Sequence, residues 1–521
     1  MSTAPVRLSG PIGGIHPVVL NRRIRELLLI GASAAIPLAL ALGISVGVPN
    51  PNLLLFVAFI VGGLGIVALM VSPRHAATLT VVALYLGLLE GPVKLGSGGH
   101  ASASVVRDVL IFSISLGAIL RLIVRRERVS LPALSPWVLA FVALVVIEAF
   151  NPNTHGMLKI LGGFRQQLEW VPFFFFGYLL MRSKQRFRRL FLLLGVLALA
   201  NGLVSSYQTR LSPGQLASWG PGYRELVFGT AGGLDGRTYS SEGVARVRPP
   251  ALGTDAGSGG GIGVVALTGT FVLLASGRLR RRWPVLLLAL GALIAVATGL
   301  GRLQLVGAVI AIITFAALSL TAGRRVTRPL AALLGVMVLA IPAGLLVVSL
   351  EGSGTFSRYA TVTSGKDTKT TSLAHIPTQV TKAPFGVGLG TVGAAAGFGG
   401  TQKNLLEGHG VSAETEYNLL VDELGLPGLL LWIGFTLRLI TLVVPGLRRV
   451  RDVELRLSLA AVFSSIVAFT IMGLSGPTMT SAAFGPFFWF AAGTFAYWFA
   501  GPGRKLAQRP VEAKRPIEAT A

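Results

Sequence analysis

Cysteine is missing from this chain and charge is scarce: 0 Cys in 521 residues, with Asp, Glu, Lys and Arg together at 13%. The first absence excludes disulfides, thiol catalysis, thiolate-ligated zinc and cysteine lipidation. The second, with a mean hydropathy of +0.70, excludes an ordinary soluble domain. Acids are scarcer than bases, 21 against 46, which leaves a net charge of +25.

What is abundant is apolar sequence, 52% of the chain. It arrives in blocks of roughly 18 to 22 residues, such as those beginning at Leu53 and Pro329, each long enough to cross about 30 Å of hydrocarbon as a helix. Barrel strands would instead alternate over about 10 residues, so an all-α polytopic membrane bundle is expected.

The bases mark topology instead of a nucleic-acid surface, and no nucleic-acid partner is expected. They cluster at Arg22 to Arg25, Arg121 to Arg128, Arg182 to Arg189, Arg278 to Arg282, Arg324 to Arg328, Arg448 to Arg451 and Arg504 to Arg515. With those clusters cytoplasmic, each pair encloses an even number of apolar segments, giving about 14 spans with both termini inside. The spans are expected near residues 27, 53, 76, 104, 131, 169, 189, 258, 283, 303, 329, 417, 455 and 480. The first, Leu27 to Val48, is too long for a signal-peptide core and reads as an anchor. The polar, basic segment from Gly501 reads as a disordered tail beside anionic headgroups.

The organisation that follows is a cytoplasmic N-terminus (1–26), N-terminal spans (27–206), an outer loop (207–257), central spans (258–350), a large outer loop ending at a helix start (351–416), C-terminal spans (417–500) and a basic cytoplasmic tail (501–521). The two long loops are where binding or chemistry is expected, because long connections usually serve function. On this topology roughly 31 bases lie inside and roughly 15 outside. Arginine on the disfavoured side calls for an anionic partner, and a diphosphate suits the guanidinium fork.

Four segments carry candidate chemistry. In GFRQQLEWVPFFFF, from Gly163, Arg165 stands before an aromatic helix, where it either snorkels to headgroups, pairs with Glu169 or contacts an anion. In ATGLGRLQL, Arg302 and Gln304 occupy a turn between two apolar runs, and an arginine beside hydrocarbon costs at least about 2.5 kcal/mol unless it finds a partner. In RVRPPALGTDAGSGGG, Arg246 and Arg248 approach a glycine-rich helix start, an arrangement that holds an anion or merely packs closely. The stretch PFGVGLGTVG from Pro384 is equally glycine-rich but lacks the Lys and Ser/Thr of a nucleotide P-loop.

The fourth segment, EGHGVSAETEYNLLVDELGLPG from Glu407, contains Glu414, Glu416, Asp422, Glu423 and His409. If Ser412 caps the helix, Glu414 lies in its first turn at the positive dipole end. Acids beside a membrane helix are functional candidates by default. His409 is a titrating group in the outer loop.

Together these segments, from about Gly163 to Phe435, resemble the O-antigen ligase and Wzy-type polymerase superfamily. In the ligases of that superfamily a His-Asn pair precedes a Gly-x-x-Gly by nine residues, and here Glu414-Thr415 stands at that distance from Gly425 to Gly428. The imidazole is thus replaced by a carboxylate, a departure that looks more like the polymerase branch or a divergent ligase. The resemblance implies a metal-independent, inverting glycosyltransferase without cofactor at a bacterial inner or plasma membrane. Its donor would be a glycan on a polyprenyl diphosphate and its acceptor a glycan or lipid hydroxyl, in contact with membrane lipids and with a chain-length regulator or flippase as partner. In such a reaction Arg165, Arg302 and Arg246 or Arg248 would hold the diphosphate, and Glu414 would accept the acceptor's proton, with Glu416 or His409 as substitutes.

Two other classes compete. A transporter or flippase of lipid-linked glycans would use as many helices, and Arg107 with Asp108 inside the fourth span is its best support. A non-catalytic assembly scaffold would tolerate loss of Glu414 and Arg302 together.

Overall fold

A computed structural model describes residues 91–96, 101–124, 131–154, 156–229, 237–241, 243–276, 283–320, 373–396 and 415–508, together with positions 63 and 67. The spans expected near residues 27, 53, 76 and 329, both chain ends, and 351–372 and 397–414 of the large loop otherwise lie outside the described residues.

The described chain is predominantly helical. Its elements are α1 (Gly91–Gly96), α2 (Ala101–Val124), α3 (Ser135–Glu148), α4 (Met157–Leu168), α5 (Pro172–Leu180), α6 (Lys184–Thr209), α7 (Pro213–Ala217) and α8 (Pro221–Phe228). An antiparallel hairpin follows, β1 (Thr238–Ser241) with β2 (Val244–Val247). Then come α9 (Ser258–Ala275), α10 (Trp283–Thr298), α11 (Arg302–Leu320), α12 (Ile376–Lys382), α13 (Glu416–Arg449) and α14 (Val453–Met472). The last are α15 (Gly485–Phe495), which runs on as a π-helical turn over Ala496–Ala500, and α16 (Gly503–Gln508).

Among the described residues five helices, α6, α9, α11, α13 and α14, are long and apolar enough to cross a membrane. Their outward faces are apolar too: Leu203, Ile313, Leu430 and Leu437 are all exposed. A helix surface apolar on both its buried and its exposed side has hydrocarbon for a solvent. α9 is the central element, buried over most of its length and packed against α6, α10, α11 and α14. Burial on all sides suits its sequence, which holds no charge and opens Ser-Gly-Gly-Gly.

Without water to drive association, contact between such helices depends on close van der Waals approach. α5 and α15 achieve it reciprocally. A Cβ on Gly177 would meet the Phe490 carbonyl oxygen at 1.9 Å, and one on Gly493 would meet that of Phe174 at 1.7 Å.

Several expectations are corrected. The helical run expected from residue 169 begins at Met157, because MLKILGGFRQQL is amphipathic and buries Gly162, Gly163, Gln166 and Gln167. It is interrupted at Pro172, whose missing N–H and ring break the ladder, so α5 has 9 residues and is too short to cross alone. α3, with 14 residues, also falls short of a full span. The segment 207–257 is no plain loop, since it folds into α7, α8 and the hairpin. The tail from Gly501 starts as ordered helix: the Arg451 N–H donates to the Ala507 carbonyl at 3.1 Å, docking α16 against the end of α13.

The bundle has two chemically distinct ends. At one, three of the basic clusters meet: Lys184 pairs with Asp452 at 2.6 Å, Arg188 pairs with Glu454, and Arg182 lies over the Tyr497 ring. At the other, the starts of α9, α11 and α13 converge on the segment 473–484 between α14 and α15, through Gly261 beside Phe484, Gly476 beside Leu303, and the Glu416 N–H bonded to the Gly473 carbonyl at 3.0 Å.

Candidate functional site

The site candidates lie at the second end, and the first group centres on α2, α4 and α5. Arg107 donates to Glu169 at 2.6 Å, and Arg165 to Asp108 at 2.9 Å with Glu169 at 3.8 Å. The adjacent Arg107 and Asp108 therefore take different partners across the same helix pair. Arg107 and Glu169 are nearly sealed from solvent, while Arg165 keeps 24% of its side chain accessible. The Arg107 guanidinium also stacks 4.7 Å over Trp170. Two cations and two anions compensate each other here, so Arg165 is held in place by acids and presents only its edge to the outside.

The second group surrounds the ELGLPG motif. Glu423 is fully buried, and its two oxygens accept hydrogen bonds from Gln166 at 3.0 Å, the Gly390 N–H at 3.0 Å and Gln167 at 2.7 Å. Gln166 also donates to the Val392 carbonyl and accepts from the Ala395 N–H. The two glutamines that follow Arg165 thus tie α4 to both α13 and the glycine-rich Pro384 segment. Beside them Gln379 donates to Asp422 at 2.9 Å and accepts from Asn418 at 2.8 Å. Sequence reasoning missed Gln166, Gln167 and Gln379, although amide side chains in an otherwise apolar neighbourhood were the available signal.

Why α13 breaks here is a matter of backbone. Gly425 has φ 62° and ψ −163° inside the helix, a conformation closed to other residues, and Pro427 withholds a donor. The Leu426 N–H turns to the Pro384 carbonyl at 2.9 Å, and the Asp422 carbonyl takes the Val387 N–H at 2.6 Å instead. The Pro384–Gly390 segment thereby supplies the broken helix with replacement partners, as irregular backbone buried in a membrane protein requires.

At the start of α13, Thr415, not Ser412, is the N-cap, accepting from the Asn418 N–H at 3.2 Å. Glu416 is buried, and its Oε2 gathers the Thr478 N–H at 2.7 Å, the Met479 N–H at 3.1 Å and the Thr480 hydroxyl at 3.3 Å. Its Oε1 is buried and makes no hydrogen bond among the described residues. Glu416 therefore pins segment 473–484 across the mouth of the bundle. Glu414 and His409 lie outside the described residues.

The third group is the pair of arginine-bearing turns. Arg302 is the first residue of α11, after a turn in which the fully buried Leu300 holds φ 50°. Ala251, also buried, holds φ 56° in the RVRPPALGTD stretch. Gln208 of α6 clamps it, accepting from the Ala251 N–H at 2.8 Å and donating to its carbonyl at 3.3 Å, while Asn201 accepts from the Leu252 N–H at 3.1 Å. Left-handed conformations at residues other than glycine are costly, and they occur here in the two segments that carry Arg302 and Arg248. The turns adjoin: the Gly257 N–H donates to the Pro249 carbonyl, and a Cβ on Gly257 would come within 2.7 Å of the Gln304 amide. Arg246 and Arg248 extend from β2 and its end, both half-buried, and Arg237 on the partner side pairs with Asp255 at 3.3 Å.

Next to these turns, Tyr207 and Trp219 stack with centroids 6.1 Å apart, and Tyr223 meets Trp219 edge-on. They line an apolar cleft of about 600 Å³ together with Leu252 and Pro92. Burial pushes the Tyr223 phenol up from its ordinary value. Among the described residues no group of three or more His, Asp or Glu stands in metal-holding proximity.

The arrangement combines a compensated ion cluster, a buried carboxylate bracing a short loop, and basic turns beside an aromatic cleft, all at one end of an apolar bundle. No protein-family model, curated protein or solved structure matches the chain.

Proposed function

We propose that the chain is a bacterial inner- or plasma-membrane glycosyltransferase of the O-antigen ligase and polymerase type. It transfers a glycan from a polyprenyl diphosphate to an acceptor hydroxyl at the outer face. The observation that carries this reading is the convergence on segment 473–484 of α11, through Leu303 beside Gly476, of the Arg165 cluster, through the Trp170 N–H donating to the Thr480 carbonyl at 3.5 Å, and of the start of α13, at the end of the bundle remote from the clustered arginines. Transfer needs cations for a departing diphosphate and a base within reach of the acceptor, and the arginine-bearing elements together with the start of α13, two residues after Glu414, support that reading.

In this mechanism Arg302, with Arg246 or Arg248, takes the diphosphate oxygens, and Arg165 borders the same mouth from within its ion cluster. Glu414, two positions before the anchored Glu416, accepts the acceptor's proton, with His409 as the alternative base. The acceptor oxygen attacks the anomeric carbon, the bond from that carbon to the diphosphate oxygen breaks, and the lipid diphosphate leaves with the electron pair. Attack opposite the leaving group inverts the anomeric centre in one step. Glu416 serves as the brace that holds the start of α13 against segment 473–484. About 14 spans, outward long loops and cytoplasmic termini belong to the same proposal.

Gene deletion with analysis of surface glycans tests it. Loss of long chains with retained single units identifies a polymerase, and accumulation of lipid-linked polymer identifies a ligase. Unchanged glycans reject the proposal.

A further inference from the structure

At the end of the bundle where the basic clusters meet, a cleft of about 320 Å³ opens between the last turns of α13, the π-helical turn and α16. Arg438, Arg449 and Arg504 line it, and among the described residues none of them has an acidic partner. The carboxylates that follow Arg449 in sequence are engaged elsewhere: Asp452 holds Lys184 and Glu454 holds Arg188. The remaining wall includes Trp498 and Phe499, so the cleft is cationic on one side and aromatic on the other.

Arg438 is the least expected of the three. It interrupts the apolar run LLLWIGFTLRLITLVV, about 16 Å along the helix from Arg449 at the usual rise per residue. An arginine so placed is unfavourable unless its head reaches a polar group, and on α13 it shares a face with Thr441, Pro445 and Arg449. Pro445 cannot donate to the Thr441 carbonyl, which leaves an acceptor in the same cleft. The opposing wall is the π turn, a deformation that often accompanies binding sites.

We propose that this cleft binds the phosphate headgroup of an anionic membrane lipid from the adjoining leaflet. The three guanidiniums take the phosphate oxygens, and an acyl chain lies along Trp498 and Phe499. A soluble phosphate offers the same charge, but the apolar wall and the depth of Arg438 fit a lipid better. The inference depends on the chain lying in a membrane and not on glycosyl transfer.

Delipidated full-length protein in neutral detergent is titrated with short-chain phosphatidylglycerol, short-chain phosphatidylcholine or inorganic phosphate. Bound adducts are read by native mass spectrometry and the shift in melting temperature in parallel. The native chain is expected to hold phosphatidylglycerol at least about tenfold more tightly than phosphatidylcholine, since both carry the phosphate but the choline ammonium cancels its net charge and sets a like charge beside the guanidiniums. The triple variant Arg438→Ala, Arg449→Ala, Arg504→Ala is expected to lose at least about tenfold in that affinity while melting normally without lipid. Arg448→Ala, which removes one charge beside the cleft but does not line it, is the control for Arg438→Ala and is expected to bind as the native chain does. If the triple variant melts abnormally, Arg438→Ala alone is expected to carry most of the loss. Unchanged lipid binding in both variants overturns the proposal. Equal binding of the two lipids, or displacement of the lipid by millimolar inorganic phosphate, overturns the assignment to an anionic lipid.

Discussion

Gln167 on α4 donates a 2.7 Å hydrogen bond to Glu423 on α13, joining two sequence motifs inside the bundle. With Gln166 and the Gly390 N–H on the same carboxylate, three donors depend on one buried acid. Glu423→Ala should strand them all at a cost of roughly 3–5 kcal/mol, whereas Glu423→Gln, which retains one acceptor, should cost about 1–2 kcal/mol. Thermal unfolding of the detergent-solubilised variants measures the difference. Equal melting temperatures for the two would remove the carboxylate from its bracing role.

Gly425 should tolerate no side chain. Alanine would have to adopt φ 62° with ψ −163°, and its Cβ would lie 2.3 Å from the Pro384 carbonyl oxygen. A loss of about 3 kcal/mol or more is expected for Gly425→Ala, read as reduced monodisperse protein after extraction from membranes. Native behaviour would mean that the break in α13 relaxes to helix.

The Lys184–Asp452 pair predicts an acid-side effect. Burial raises the Asp452 pKa, but the Lys184 hydrogen bond and charge together with the Leu455 N–H outweigh it, and the folded value lies below the ordinary one. A depressed folded pKa stabilises above the unfolded value, near about 4, and that stability fades as pH falls through the folded value. The pair is partly exposed, so the contribution is expected to be below about 1 kcal/mol. Melting temperatures of the native chain and Asp452→Asn should therefore differ at pH 6 and converge towards pH 3. A gap that persists in acid contradicts the linkage.

Under the proposed function, catalysis is expected to separate from binding at Glu414 and Arg302. Glu414→Gln preserves shape but cannot accept a proton, so turnover should fall by roughly 100-fold or more with donor binding retained. Arg302→Lys keeps the charge and loses the bidentate fork, weakening both leaving-group stabilisation and donor affinity. Purified protein with a polyprenyl-diphosphate glycan and an acceptor, assayed with and without EDTA, measures both. Full activity in Glu414→Gln rejects the base, and complete inhibition by EDTA rejects a metal-free reaction.

Orientation is open to direct labelling because the chain has 0 Cys. Single cysteines at Gly232 and Thr370 should react with impermeant reagent from the outside of intact cells. Labelling only after permeabilisation would place both long loops in the cytoplasm and end the proposed function.

Composition alone determined that this is a helical membrane protein, because apolar blocks of spanning length and sparse charge are properties of the chain that no packing alters. The basic clusters were expected on one side of the bundle, and among the described residues Arg182 to Arg189, Arg448 to Arg451 and the start of the tail do share one end. Which acids are structural could not be read in this way. Glu423 and Glu416 look alike in ETEYNLLVDELGLPG, yet one is clamped by glutamines remote in sequence and the other braces a loop beyond α14. The strain at Leu300 and Ala251, and the exchange of backbone partners at Gly425, were equally invisible. Each depends on contacts between residues distant in the chain, and a hydrogen bond's partner is chosen by tertiary geometry, whereas hydropathy is carried by each residue on its own.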